Sequence, residues 1–347
     1  MNNPFELTFG LKPSNYISRL RQSDEIIENF NSKTGNKVFL ITGVRGTGKT
    51  VMLSHISKYY ENQGDWIVTE LIPNYDMLEQ LASSLYDSSI TNKIINSKSF
   101  GISFCGVSFS ISGEKPVTNV INLIELLLDR IKKQNKKVMI AIDEVSNNEF
   151  VKTFTQVFQL LVRKEYPIYL LMTGLYQNIY ELQNNKDLTF LYRAPKINLE
   201  PLNLVAITSS YMDLLKISKE EASILAKETK GYAYAYQVLG YLVWESKNPK
   251  IDEMLLMKYD QYLQEYVYDK MYSELSSKDK LLLGAFKDDG INNVEDLVKS
   301  TKMSKNIFSV YRDRLIKRGF VDAPEYGKLV LKLPRFYEYL KSHFMYE

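Results

Sequence analysis

Five short runs along the chain are rich in apolar residues: Val38 to Thr42, "WIVTEL" (66–71), "KVMIAID" (137–143), "IYLLMTG" (168–174) and "KINLEPL" (196–202). Such runs suit strands buried on both faces. Between them the apolar residues fall at helical spacing, predicting a helix that starts near Gly48, with apolar Leu53, Ile56 and Tyr60, and helices around 76–87, 117–135, 147–164 and 175–183. Strand and helix in alternation predict a parallel sheet covered by helices, an α/β fold in which ligands gather at the carboxyl ends of the strands. One segment breaks the pattern. In "SFGISFCGVSFSIS" (99–112), Phe100, Ile102 and Phe104, then Val107, Phe109 and Ile111, alternate with small residues about a Cys105-Gly106 turn. It reads as a β-hairpin, either packed on the body of the fold or reaching out to a partner, and no role is assigned to it.

From about Asn203 the strands stop and helical spacing takes over, with "GYAYAYQVLGYLVW" (231–244) the most apolar stretch, predicting a helical lid over 203–272. Beyond it, "SSKDKLLLGAFKDD", "VEDLVKST" and "SKNIFSVYRDRLIKRG" predict three helices, and "FVDAPEYGKLVLKL" two short strands about a turn. Three helices followed by a β-wing outline a winged helix over 273–347. The expected division is thus an α/β domain at 1–202, a lid at 203–272 and a winged helix at 273–347.

Composition narrows the chemistry. With 347 residues and 45% hydrophobic side chains, the chain can form two or three ordinary globular domains. No apolar run approaches the roughly 20 residues of a membrane span, and the start, "MNNPFELTFG", lacks the features of a signal peptide, so a cytoplasmic location without membrane partners is expected. One cysteine, Cys105, and two histidines, His55 and His343, exclude an internal disulfide and a cysteine- or histidine-rich metal site. The formal charge of +3 lies wholly after residue 270, where 14 Lys and Arg meet 11 Asp and Glu, which points to an anionic partner for the tail.

Between the first strand and its helix lies "GVRGTGKT", which fits G-x-x-x-x-G-K-[ST] with Gly43, Gly48, Lys49 and Thr50 in place. A polyphosphate needs several backbone N–H groups turned toward it, and glycines let the backbone wrap that closely, while the helix start adds its positive dipole end. Gly43, Arg45, Gly46, Thr47, Gly48, Lys49, Thr50 and Val51 are therefore the expected nucleotide contacts. Lys49 would neutralise the outer phosphates, and Thr50 would ligate a magnesium ion bridging them. At the end of "VMIAID", Asp143 would hold that Mg2+ and Glu144 would polarise the attacking water. Thr173, at the end of the next strand, could bond the γ-phosphate or that water, or cap the helix that follows. Arg193, before the last strand, is either an arginine finger for a neighbouring subunit's nucleotide or a surface arginine.

The succession Gly43–Thr50, Asp143–Glu144, Thr173, Arg193 and Gly231 resembles the AAA+ and STAND branch of P-loop ATPases, particularly archaeal-type ATPases and origin-recognition initiators, over nearly the whole chain. The resemblance implies ATP and magnesium as ligands, although the residues themselves leave GTP open. "FGLKPSNYISRLRQSDEIIENF" (9–30) is similar to the family's segment that folds over the base, which implies Tyr16, Ile17 and Arg19 as base contacts, with Ser18 where the family has glycine. "GYAYAYQ" is similar to the lid motif glycine-x-proline and implies Gly231 near the nucleotide. Here Ala233 replaces the proline, and the lid helix carries no sensor arginine.

In a winged helix the second helix of the turn reads DNA. It is expected to start at Ser304, to bury Phe308, Tyr311 and Leu315, and to expose Lys305, Asn306, Ser309 and Arg314. Lys328 is placed near the wing. Residues 299–318 hold seven basic side chains against one acidic, Asp313. Three functions are consistent with this reading: an ATP-hydrolysing switch whose tail binds double-stranded DNA; a signalling ATPase that oligomerises with ATP and grips a protein with its tail; and a nucleotide binder that does not hydrolyse.

Overall fold

The computed structural model of the protein describes residues 2–7, 15–88, 100–104, 107–111 and 119–344, in two compact units. The first gathers 1–19, 43–51 and 199–347; the second gathers 20–42 and 52–198.

The second unit is built on a parallel sheet of five strands: β1 (Val38–Thr42), β2 (Trp66–Leu71), β5 (Lys137–Ile142), β6 (Ile168–Gly174) and β7 (Lys196–Asn198), in the order β2-β5-β6-β1-β7. Every residue of β1 and β6 is buried, as is all of β5 after Lys137. That burial on both faces is why these strands read as unbroken apolar runs. In register, Ile41 pairs with Thr173 and Thr42 with Gly174, while Ile142 pairs with Met172. Helices α1 (Leu20–Asn31), α2 (Lys49–Glu61, which begins in the first unit), α3 (Met77–Asp87), α4 (Val120–Lys133), α5 (Glu149–Arg163) and α6 (Tyr176–Gln183) alternate with the strands. Asn119 and Asn148 start α4 and α5 by accepting bonds from Ile121 N and Val151 N. The stripe Leu123, Ile124, Leu127, Leu128 and Ile131 then buries one face of α4, and its basic last turn suits the negative helix end.

The hairpin is present as β3 (Phe100–Phe104) paired antiparallel with β4 (Val107–Ile111); its expected turn at 105–106 lies outside the described residues. So does most of the start of the amino-terminal segment, at 8–14. The last sheet strand is three residues long rather than seven: its pairing with β1 ends at Asn198, before Pro201, which has no backbone donor to offer. Not anticipated was the 3-10 segment Lys186–Arg193 that precedes β7.

The first unit is mostly helical: α7 (Leu204–Leu215), α8 (Lys219–Glu228), α9 (Ala233–Ser246), α10 (Glu253–Leu263), a π-helical turn Gln264–Tyr268, α11 (Asp269–Ser273), α12 (Ser277–Gly284), α13 (Val294–Thr301), α14 (Lys305–Lys317) and α15 (Phe336–Phe344). A three-stranded antiparallel sheet, β8 (Asn292–Asn293), β9 (Val321–Asp322) and β10 (Lys328–Leu331), in the order β8-β10-β9, completes the expected winged helix around α12, α13 and α14. One apolar cluster runs from Phe5 through the lid residues Tyr211, Tyr236 and Tyr259 to Phe308, Leu315 and Phe336 of the tail. Lid and tail thus share a core.

Ser304 caps α14 through Ile307 N as expected, and Phe308 and Leu315 are buried. The outward face needs correction. Lys305 and Asn306 are exposed, but Ser309 and Arg314 are half-buried. The Arg314 guanidinium donates to Asp279 Oδ2 and to Ser276 Oγ, and Arg318 Nη1 lies 3.8 Å from the same carboxylate. Asp279 is fully buried and also closes the capping box of α12 with Ser276. A buried carboxylate draws in whichever arginines can reach it, and Arg314 is on the side of α14 that can. Removing one partner of such a buried cluster strands the other charges, so Asp279→Ala is expected to lower unfolding free energy by about 3 kcal/mol. Urea unfolding followed by circular dichroism reads this directly.

Candidate functional site

The phosphate loop leaves β1 after Thr42 and enters α2 at Lys49. Gly46 and Gly48 have φ of 72° and 89°, a region costly for side-chain-bearing residues. A Cβ on Gly43 would sit 2.7 Å from Thr47 Oγ1, and one on Gly46 would sit 2.3 Å from the Tyr232 hydroxyl. Each glycine is therefore needed where it stands.

The loop's carbonyls are tied down in sequence. Lys49, only 8% exposed, donates its ammonium to Gly43 O (3.1 Å) and Val44 O (2.9 Å). Arg45 O accepts from the Tyr232 hydroxyl, Gly46 O from Tyr234 N (3.0 Å) and Thr47 O from Arg19 Nη2 (2.8 Å). In a trans peptide the N–H points opposite to the carbonyl. With the carbonyls of Arg45, Gly46 and Thr47 held by the lid and the amino-terminal segment, the N–H groups of Gly46, Thr47 and Gly48 face the other way, together, as a phosphate cradle requires. The donor set fits a polyphosphate: three amides, a lysine ammonium and the Thr50 hydroxyl at the start of α2.

Arg19 is an anchor of this loop, since its Nε also donates to Glu200 O (3.1 Å), and burial pushes its pKa down. Tyr16 and Ile17 are half-buried, with Ile17 against the core of the first unit, and burial raises the Tyr16 hydroxyl's pKa. Gly231 has φ of 74° and accepts from Leu202 N at 2.8 Å; a Cβ there would lie 2.6 Å from Leu202 O. It sets up the turn from which Tyr232 and Tyr234 reach the loop. These two tyrosines were missed in the sequence, where "GYAYAY" shows an apolar helix start and nothing marks one hydroxyl as buried against a carbonyl. Desolvation raises the Tyr232 hydroxyl well above its usual pKa and keeps it a donor.

The second unit brings together Asp143, Glu144 and Thr173. Thr173 Oγ1 donates to Asp143 Oδ1, and Glu144 N donates to both Asp143 Oδ1 (3.1 Å) and Thr173 Oγ1 (3.2 Å). Val145 N bonds Thr173 O at 2.8 Å, locking the turn to β6. Thr173 therefore holds the acidic turn rather than capping α6. Glu144 sits at φ 52°, a left-handed conformation uncommon for glutamate, with its side chain exposed. Glu70, at the end of β2, was also missed: burial and then the Asp143 charge raise its carboxyl pKa, so a second carboxylate shares the Asp143 environment. Among the described residues no cluster of three or more His, Cys, Asp or Glu could hold a metal alone. Arg193 is exposed at the end of its 3-10 segment. Lys328 is half-buried and donates to Asn293 Oδ1 (2.7 Å). Among the described residues no helix is long and apolar enough to cross a membrane.

Comparison with known proteins agrees with this architecture. Residues 17–174 match the family model described as Nephrocystin 3, N-terminal, and residues 265–340 match a domain of unknown function, DUF8462. No curated protein is detectably similar in sequence. The Walker-type ATPase PABY2304 of Pyrococcus abyssi superposes with a TM-score of 0.62 at 12% identity, over 94% of this chain and 96% of that one. The ORC2 protein of Aeropyrum pernix, solved in ADPNP and ADP complexes, superposes at 0.57 and 12% identity, over 98% of each chain. At such identity the likeness establishes the fold alone: a mixed α/β chain with a central parallel five-stranded sheet, the P-loop NTPase fold.

Proposed function

We propose that the protein is an ATP-dependent switch: it binds ATP with magnesium at the loop 43–51, hydrolyses it, and uses its winged helix to engage double-stranded DNA. The observation that carries the nucleotide part is the loop itself, with its carbonyls pinned outward at Arg45, Gly46 and Thr47 and Lys49 folded over its start. Magnesium, held by Thr50 and Asp143, would supply charge neutralisation between the phosphates. Glu144 polarises the attacking water, Asp143 keeps its orientation through Thr173, and Lys49 exchanges two carbonyl bonds for the γ-phosphate, where charge grows in the transition state. Arg193, exposed, suits completion of a neighbour's site in an ATP-dependent oligomer. Titration with a fluorescent ATP analogue and magnesium tests the first step; micromolar binding is expected, and absence of binding sinks the reading.

For the tail, the exposed Lys305 and Asn306 at the amino-terminal end of α14 support DNA binding. Lys305→Ala is expected to weaken binding to duplex DNA about threefold and to reduce the salt slope by about one. Fluorescence anisotropy over a salt series reads both. Undetectable binding at low salt removes DNA from the proposal. A second reading has its own support: α14 exposes Ile307 (40%) and Val310 (64%) one turn apart, while Arg314 is withdrawn to Asp279. An apolar pair on this face suits a protein partner, and Val310→Glu would abolish that binding while sparing DNA.

A further inference from the structure

Arg45 is held at both ends. Its carbonyl takes the Tyr232 hydroxyl, and its guanidinium Nη2 lies 3.1 Å from Glu274 Oε1. Glu274 ends α11 and leads into the winged helix. Its carboxylate is also 3.5 Å from Lys270 Nζ, and its own carbonyl accepts from Arg318 Nη2 at 3.5 Å. Arg318 is the C-cap of α14. The next residue, Gly319, has φ of 79° and approaches the phosphate loop so closely that a Cβ would lie 2.8 Å from Val44 Cγ1. The carboxyl end of α14 therefore meets the loop twice, by ion pair through Glu274 and by direct packing at Gly319.

We propose that Arg45 is the positioning residue that latches the phosphate loop to the winged helix, its guanidinium being contested by Glu274 and by the bound polyphosphate. The inference rests on the nucleotide-binding reading above. A guanidinium forms its strongest bonds to carboxylate and phosphate alike, and a polyphosphate brings several negative oxygens where Glu274 brings one carboxylate. Nucleotide and the Glu274 latch are then reciprocally coupled: whatever weakens the latch strengthens nucleotide binding, and the reverse. The pair is about one-third exposed on each side, so the expected coupling is modest. Arg45 would thus carry the nucleotide state to the carboxyl end of α14, the helix whose opposite end is proposed to meet the tail's partner.

The test is a double-mutant cycle on the full chain, titrating a fluorescent ATP analogue with magnesium. Glu274→Ala is expected to tighten binding about two- to fivefold, the range for releasing a partly exposed pair, and to do nothing once Arg45 is alanine. Hydrogen exchange supplies a second readout: ATP should raise exchange at 318–320 in the unaltered chain, and Glu274→Ala should raise it without ATP. If the alanine variant fails to fold, Glu274→Gln carries the same expectation. Unchanged affinity in the Glu274 variant, or an equal change with Arg45 absent, overturns the latch while leaving nucleotide binding intact. No binding by the unaltered chain overturns both.

Discussion

Replacing Lys49 by alanine is expected to weaken ATP binding about 100-fold and to cut turnover by about a further 10²- to 10³-fold. The ammonium is buried and already shaped to the loop, with two backbone carbonyls as its partners. Those carbonyls are neutral acceptors. A polyphosphate offers charged ones at the same place, so the exchange is favourable and adds a charge-assisted bond. The same bond strengthens as the γ-phosphate separates, which is why turnover falls further than affinity. Arginine should not rescue, because its planar fork cannot enter the space of a single ammonium. Equilibrium titration and phosphate release measure the two effects separately. Retained turnover in Lys49→Ala would remove the catalytic assignment.

The second large effect is expected at Glu144. Glu144→Gln keeps the size of the side chain and the backbone that bonds Asp143 and Thr173, so nucleotide affinity should stay within about twofold. Turnover should fall about 10²- to 10⁴-fold, the range for loss of a general base. The local backbone supports this assignment. A glutamate at φ 52° is held in a sparsely populated region by the bonds of its own N–H and of Val145 N, and such strain persists where a side chain must point one way. Asp143→Asn is a different experiment, expected to reduce the magnesium dependence of binding. Single-turnover phosphate release with the two proteins decides the matter. Equal and negligible release from the unaltered chain and from Glu144→Gln would instead make the protein a nucleotide binder that does not hydrolyse.

Ala233 stands where a proline is expected, and no sensor arginine follows. In its place the chain uses Tyr232, whose hydroxyl takes the Arg45 carbonyl, and the Tyr234 amide, which takes Gly46 O. Neither bond is made by residue 233 itself; both come from its neighbours in the turn. The lid therefore grips the loop backbone through hydrogen bonds of its own.

What the sequence determined by itself was whatever depends on local spacing. The buried strands announced themselves as apolar runs, the helices as stripes such as Leu123, Leu127 and Ile131, and the loop as glycines at positions where φ is positive. The start of α14 at Ser304 was likewise local, whereas the caps at Asn119 and Asn148 went unread. The acidic pair after β5 stood out only because the glycine-rich loop lies upstream; by itself, a carboxylate after a buried strand is as readily a solvated turn. What only the tertiary structure decided was pairing between distant residues. Arg314 read as an outward base contact until the fold set the buried Asp279 beside it, and Tyr232 read as one apolar residue among many until the turn at Gly231 delivered its hydroxyl to Arg45. The same holds for Glu70 with Asp143 and for Arg45 with Glu274, which stands 229 residues further along. A periodicity is written in neighbours along the chain, whereas the partner of a charge or a hydroxyl is chosen by desolvation, after the chain has brought both groups out of water.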